Sequence, residues 1–177
     1  MTNDKRVVGF TCGAFDLLHA GHALMLKEAK DHCNYLIVGV QEDPSLDRPN
    51  KNKPVQDYEE RKIMVQSIRY VDEIVTYSTE KELYSLLKTL QPDVRIIGAD
   101  WKGKPFTGYD LPIKVAFNSR DHGYSTSELR QRVHWAEMHK NSPAMLQQFL
   151  PKLRESLEKM NDHEVQKQLS ELLKKSD

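Results

Sequence analysis

Two short, continuous apolar runs, KRVVGFTC (5–12) and YLIVGV (35–40), have the length and composition of strands covered on both faces. Between them Ala23, Leu24, Leu26 and Ala29 recur at helical spacing, which predicts a helix from about His22 to Cys33. The alternation continues with a helix over 58–70, with Ile63, Met64, Ser67 and Ile68 towards one side, and a strand over 73–77. A helix over 80–90, stopped by Pro92, and strands over 94–98 and 111–118 follow. A last helix spans 125–138; it opens on Ser125 with Glu128 at capping-box spacing. Residues 41–57 are polar and carry three prolines, so they read as a long loop. The order β-α-β-α-β-α-β-β-α predicts an α/β fold, a doubly wound parallel sheet that takes ligands at the carboxyl ends of its strands. Beyond it, NSPAMLQQFLPKLRESLEKM and DHEVQKQLSELLKKS read as amphipathic helices, with Pro143 suited to a first turn and Pro151 to a kink. The expected organisation is a domain over 1–140 and a helical extension over 141–177.

Composition narrows the function classes. Lys plus Arg and Asp plus Glu are both 26 in 177 residues, so no nucleic-acid partner is expected. No apolar run approaches a membrane span, and MTNDKRVVGF has no signal-peptide core, so no membrane association is expected. Cys12 and Cys33 stand at no metal or redox spacing and read as reduced thiols of a cytoplasmic protein.

The chemistry concentrates in GAFDLLHAGH (13–22), where the first strand gives way to the first helix. A helix start presents unpaired N–H groups and partial positive charge, a natural seat for phosphate. Gly13 allows close approach and an unusual φ. His19 and His22, three apart, can project from one side of the first turn and offer imidazole N–H donors to a phosphate. A plain helix cap or surface residue is the other reading of each histidine. A metal pair is a third, but Cys and Glu partners at ligand spacing are absent, so no protein metal ligands are assigned.

GAFDLLHAGH matches the GxFDxxHxGH form of the HxGH nucleotidyltransferase superfamily. The chain resembles its cytidylyltransferases, especially glycerol-3-phosphate cytidylyltransferase, the family with a Rossmann-like nucleotidyltransferase fold. Three further stretches carry the resemblance: YEERKIMVQSIRYVDEIV (58–75), IIGADWKGK (96–104) and SRDHGYSTSEL (119–129). Together with the first they cover roughly residues 6–135. The resemblance implies transfer of CMP from CTP, with Mg²⁺, to a small alcohol phosphate such as glycerol 3-phosphate, releasing pyrophosphate. It gives His19, His22, Lys53 and Arg120 catalytic roles on the phosphates. It implies substrate contacts for Gly13, Phe15, Asp16, Lys51, Arg61, Asp100, Trp101, Gly123, Ser125 and Thr126. Asp16 is expected to fix its loop or help place metal, Arg61 to meet a phosphate, and Asp100 and Trp101 to lie near the cytidine. The plainer readings are solvated loop lysines for Lys51 and Lys53 and an Arg61–Asp57 pair at i, i+4. A homodimer is implied by analogy.

The chain departs from the family pattern at Asp121 and His122, in the long PFTGYDLP stretch (105–112) and in the extension after His139. These differences leave the acceptor open. The alternatives are an adenylyltransferase using ATP and a non-catalytic nucleotide-binding regulatory module.

Overall fold

The structure, a computed structural model, describes residues 5–119 and 121–140. The strands are β1 (Val8–Gly13), β2 (Tyr35–Gln41), β3 (Glu73–Tyr77), β4 (Val94–Gly98) and β5 (Lys114–Asn118). The helices are α1 (Ala20–Lys30), α2 (Pro44–Asp47), α3 (Tyr58–Gln66), α4 (Glu80–Leu90) and α5 (Thr126–His139), with a 3₁₀ turn at Ala99–Trp101. The chain divides into two compact units between Leu129 and Arg130. The first contains the sheet; the expected extension over 141–177 lies outside the described residues. Among the described residues no helix is long and apolar enough to cross a membrane.

All pairings are parallel, in the order β3-β2-β1-β4-β5. The chain therefore winds outwards from central β1 through β2 and β3, then crosses back to β4 and β5. The reversal leaves a crevice past the carboxyl ends of β1 and β4, where such folds bind ligands.

Strand periodicity sorts β2 into two cores. Leu36, Val38 and Val40 point to one face and join Leu26 and Ala29 of α1 and Val65 of α3. Ile37 points to the other, with Phe10, Tyr77 and Leu83 and Leu87 of α4. Leu36, Val38, Val40, Val65 and Leu87 are fully buried. This two-sided burial is why the strand reads as a continuous apolar run.

Two local departures have clear causes. The expected loop over 41–57 holds the single turn α2: Asp43 caps it by accepting from Ser45 N–H at 2.9 Å, and Pro44 pre-sets its first residue. The fifth strand starts at Lys114 rather than 111, because Leu111 N–H and Ile113 N–H bond back to Gly108 and Leu111 carbonyls. The β4–β5 crossover thus contains no α-helix.

The RYVDE turn after α3 is a structural lock. The Asp72 N–H donates to Leu36 O at 3.0 Å, and its carboxylate accepts from Leu36 N–H at 2.6 Å and from the Lys30 ammonium. Burial pushes the Asp72 carboxyl up, but these two donors outweigh it and hold it below its ordinary value of 3.8. A lowered folded value adds stability that is complete above about pH 4 and fades as pH falls through it. Asp72→Asn should therefore lower the urea midpoint at pH 7, by the equivalent of about 0.5–1 kcal/mol for a partly exposed pair. The gap to wild type should close below about pH 3.8, in urea titrations from pH 3 to 7.

Candidate active site

His19 is the N-cap of α1, in extended backbone conformation (φ −135°, ψ 174°). Its Nδ1 accepts the Gly21 N–H at 3.0 Å, and His22 Nδ1 accepts the His19 N–H at 3.3 Å, a reciprocal capping box built from two imidazoles. The rings stack with centroids 4.0 Å apart. Since each Nδ1 is an acceptor, the neutral form of each ring carries its proton on Nε2. His19 Nε2 lies 3.2 Å from Thr126 Oγ1, which itself donates to Asp16 O at 3.4 Å. Thr126 is the first residue of α5, and Ser125 caps that helix by accepting the Glu128 N–H at 3.1 Å. One side-chain contact thus stitches the starts of α1 and α5 together.

The two segments also meet closely at Gly21. A Cβ there would lie 2.8 Å from His122 Cε1, 2.9 Å from His19 Cε1 and 2.9 Å from Tyr124 O. His122, a departure from the family pattern, is therefore packed against the first motif; its Nδ1 is buried without a hydrogen-bond partner. The missing Cβ of Gly123 faces open space. Arg120 lies outside the described residues.

Gly13 does not use the positive φ that glycine permits. Positive φ falls instead on Phe15 (53°) and Leu17 (48°), and a Cβ on Gly13 would make only ordinary contact with the Phe15 ring. Phe15 is buried and serves the core below the crevice, and its ring lies 5.5 Å from that of His22. Asp16 fixes its loop: its Oδ1 accepts the Val55 and Gln56 N–H groups at 2.9 and 3.0 Å.

Arg61 corrects a further expectation. It is 1% exposed, and its guanidinium donates to the carbonyls of Gln56 and Asp57 (3.2 Å each), Ala14 (2.7 Å), Gln41 (2.6 Å) and Glu42. With its donors on backbone, it ties the ends of β1 and β2 to α3 and presents no face to a phosphate. The suggested Asp57 partner is met through its backbone carbonyl, because the Asp57 carboxylate caps α3 by accepting the Glu60 N–H. Burial pulls the Arg61 guanidinium below its usual range, opposed by Asp16 and Asp43.

Lys51 and Lys53 are exposed in the loop after α2. Lys53 adds its field to the Ser45 hydroxyl and N–H, which together hold Asp43 below the usual carboxylate range. Asp100 and Trp101, in the 3₁₀ turn after β4, are exposed, Trp101 by 38%. They stand past the carboxyl end of the strand beside β1, across the switch point from the histidines. Burial pushes both Cys12 and Cys33 thiols up, which disfavours their thiolate forms. Among the described residues no group of three or more His, Cys, Asp or Glu side chains forms a metal cage.

A family model described as cytidylyltransferase-like matches residues 10–132. The chain belongs to that family. Among cytidylyltransferase-like relatives, the bifunctional protein HldE of Campylobacter jejuni is 36% identical over 132 residues, 74% of this chain and 28% of that protein. HldE of Rhodospirillum rubrum is 36% identical over 132 residues, 72% of this chain and 26% of that protein. The chain therefore spans just over a quarter of the length of these curated relatives. The family-level part of the resemblance stands; these relatives are HldE proteins and not specifically glycerol-3-phosphate cytidylyltransferases. A putative nicotinate-nucleotide adenylyltransferase from Vibrio parahaemolyticus superposes with a TM-score of 0.52 at 14% identity, covering 78% of this chain and 91% of that one. That likeness establishes the Rossmann-like nucleotidyltransferase fold.

Sequence reading missed two residues beside the site. Arg95 is 4% exposed under the β4–β5 crossover, and the one charge inside the VRIIG strand was the signal. Glu80, at the start of α4, had no signal beyond a good first-turn position.

Arg61→Met should cost about 3–5 kcal/mol, since it takes the guanidinium donors from the buried Gln41 carbonyl and the partly buried Ala14 and Glu42 bonds. Chemical denaturation checks this. A phosphate ligand would instead lose substrate affinity at unchanged stability.

Proposed function

We propose that the chain is a nucleotidyltransferase that moves AMP from ATP to a small phosphorylated alcohol. The observation that carries this reading is the double cradle: His19 Nε2, 3.2 Å from Thr126 Oγ1, joins two helix starts at one place. Both offer backbone N–H groups and partial positive charge to a triphosphate tail. An acceptor phosphate oxygen, already anionic at neutral pH, attacks the α-phosphorus in line. A phosphorus–oxygen bond forms there, the bond from the α-phosphorus to the bridging oxygen breaks, and pyrophosphate leaves. No general base is needed. The Nε2–H groups of His19 and His22 stabilise the charge that grows on the phosphates in the transition state. Arg120, Ser125 and Thr126 hold the β- and γ-phosphates, and Lys51 and Lys53 reach over the substrates. Mg²⁺, when bound with the nucleotide, would offset charge on the triphosphate.

The likeness to the HldE proteins favours ATP over CTP as donor. Adenine and cytosine both present an exocyclic amine, so an acceptor at Asp100 or the end of β4 serves either base. The CTP reading keeps one specific support, the IIGADWKGK segment after β4.

The test is a panel of ATP, CTP, GTP and UTP against glycerol 3-phosphate, sugar phosphates and phosphoethanolamine, read by pyrophosphate release and product mass. ATP-dependent product is expected, and His19→Ala should lower kcat about 10²–10³-fold with the fold intact. Turnover with CTP alone reverses the donor. Nucleotide binding without turnover favours the regulatory module.

A further inference from the structure

The loop after β2 and the crossover after β4 are joined by one carboxylate. Glu80, at the start of α4, lies 3.3 Å through Oε1 from Arg48 Nη1, and its N–H donates to Asp47 Oδ2 at 2.7 Å. Both partners belong to the turn that leads to Lys51 and Lys53. Through Oε2 the same carboxylate accepts the Thr107 hydroxyl. Thr107 lies in the β4–β5 crossover, downstream of Asp100 and Trp101, and its carbonyl accepts from buried Arg95. Each arm has a rigid base. Arg48 Nη2 donates to the fully buried Gln41 side chain at 2.6 Å, and Gly108, at φ 78°, seats the crossover against Leu87 and Arg95.

This arrangement is more specific than stability requires. The Arg48 and Glu80 side chains are each about one third exposed, and such pairs add little to folding. The crossover has no α-helix of its own and residues 101–105 are exposed, while Phe106 against Arg95, Thr107 and Gly108 anchor it behind Asp100 and Trp101.

We propose that Glu80 is a positioning residue that couples the loop bearing Lys51 and Lys53 to the crossover bearing Asp100 and Trp101. Ordering of one loop by substrate then orders the other. The loops' contact with substrate rests on the nucleotidyltransferase reading; the mechanical coupling does not.

The test uses the full chain. Hydrogen exchange without ligand should show amides in both 44–53 and 102–110 exchanging at least about threefold faster in Glu80→Ala, with those of α1 unchanged. In steady-state assays the same variant should raise KM for both substrates about tenfold, with kcat within about threefold. Arg48→Met and Thr107→Val cut one arm each; combined, they should raise KM by less than the product of their separate effects, and Thr107→Ser should restore wild-type behaviour. Faster exchange in one loop alone, or multiplicative effects in the double variant, would overturn the coupling. An inactive wild type with both loops loosened together in Glu80→Ala would instead overturn the nucleotidyltransferase reading and leave the coupling standing.

Discussion

The first helix begins on a histidine, where serine, threonine, aspartate or asparagine usually stands. Any of those would satisfy the orphan N–H groups of the first turn. An imidazole does so with one nitrogen and keeps a second for other work. Nδ1 of His19 accepts from Gly21 and Nδ1 of His22 accepts from His19, so the backbone itself sets which nitrogen carries the proton. Two Nε2–H donors are thereby held in stacked rings at the positive end of a helix dipole. Their preorganisation is set when the helix forms, before any ligand arrives.

The rest of the first unit keeps that helix start in place. Leu26 and Ala29 anchor α1 on the sheet, while Gly21 lets the segment before α5 settle onto the first turn. Asp16 and Arg61 spend their polar groups on backbone, one on the chain before α3, the other on carbonyls at the ends of β1 and β2. The buried Arg61 charge is thereby committed to the fold.

Much of this was legible because burial writes itself into periodicity. Strands β3 and β4 and helix α4 coincide with their expected limits, and the run YLIVGV announced a strand covered on both sides. The site region followed from a histidine pair at a strand-to-helix junction. Individual roles were harder. Arg61 was read as a phosphate ligand because sequence shows a charge and not its surroundings; only the fold reveals that carbonyls from three separate segments converge on it. Gly13 drew the conformational freedom that Phe15 and Leu17 in fact use. Glu80 and Thr107, far apart in the chain, meet only because the crossover folds back over α4.

The central claim is that a single nucleotide tail occupies both helix starts at once. Titrating the ¹⁵N-labelled full chain with ATP tests it most directly. The amides of Gly21, His22, Thr126 and Ser127 should shift along one saturation curve with one Kd, and AMP should move them far less. Saturable ATP binding that shifts residues elsewhere, or only one of these two pairs, would contradict the account.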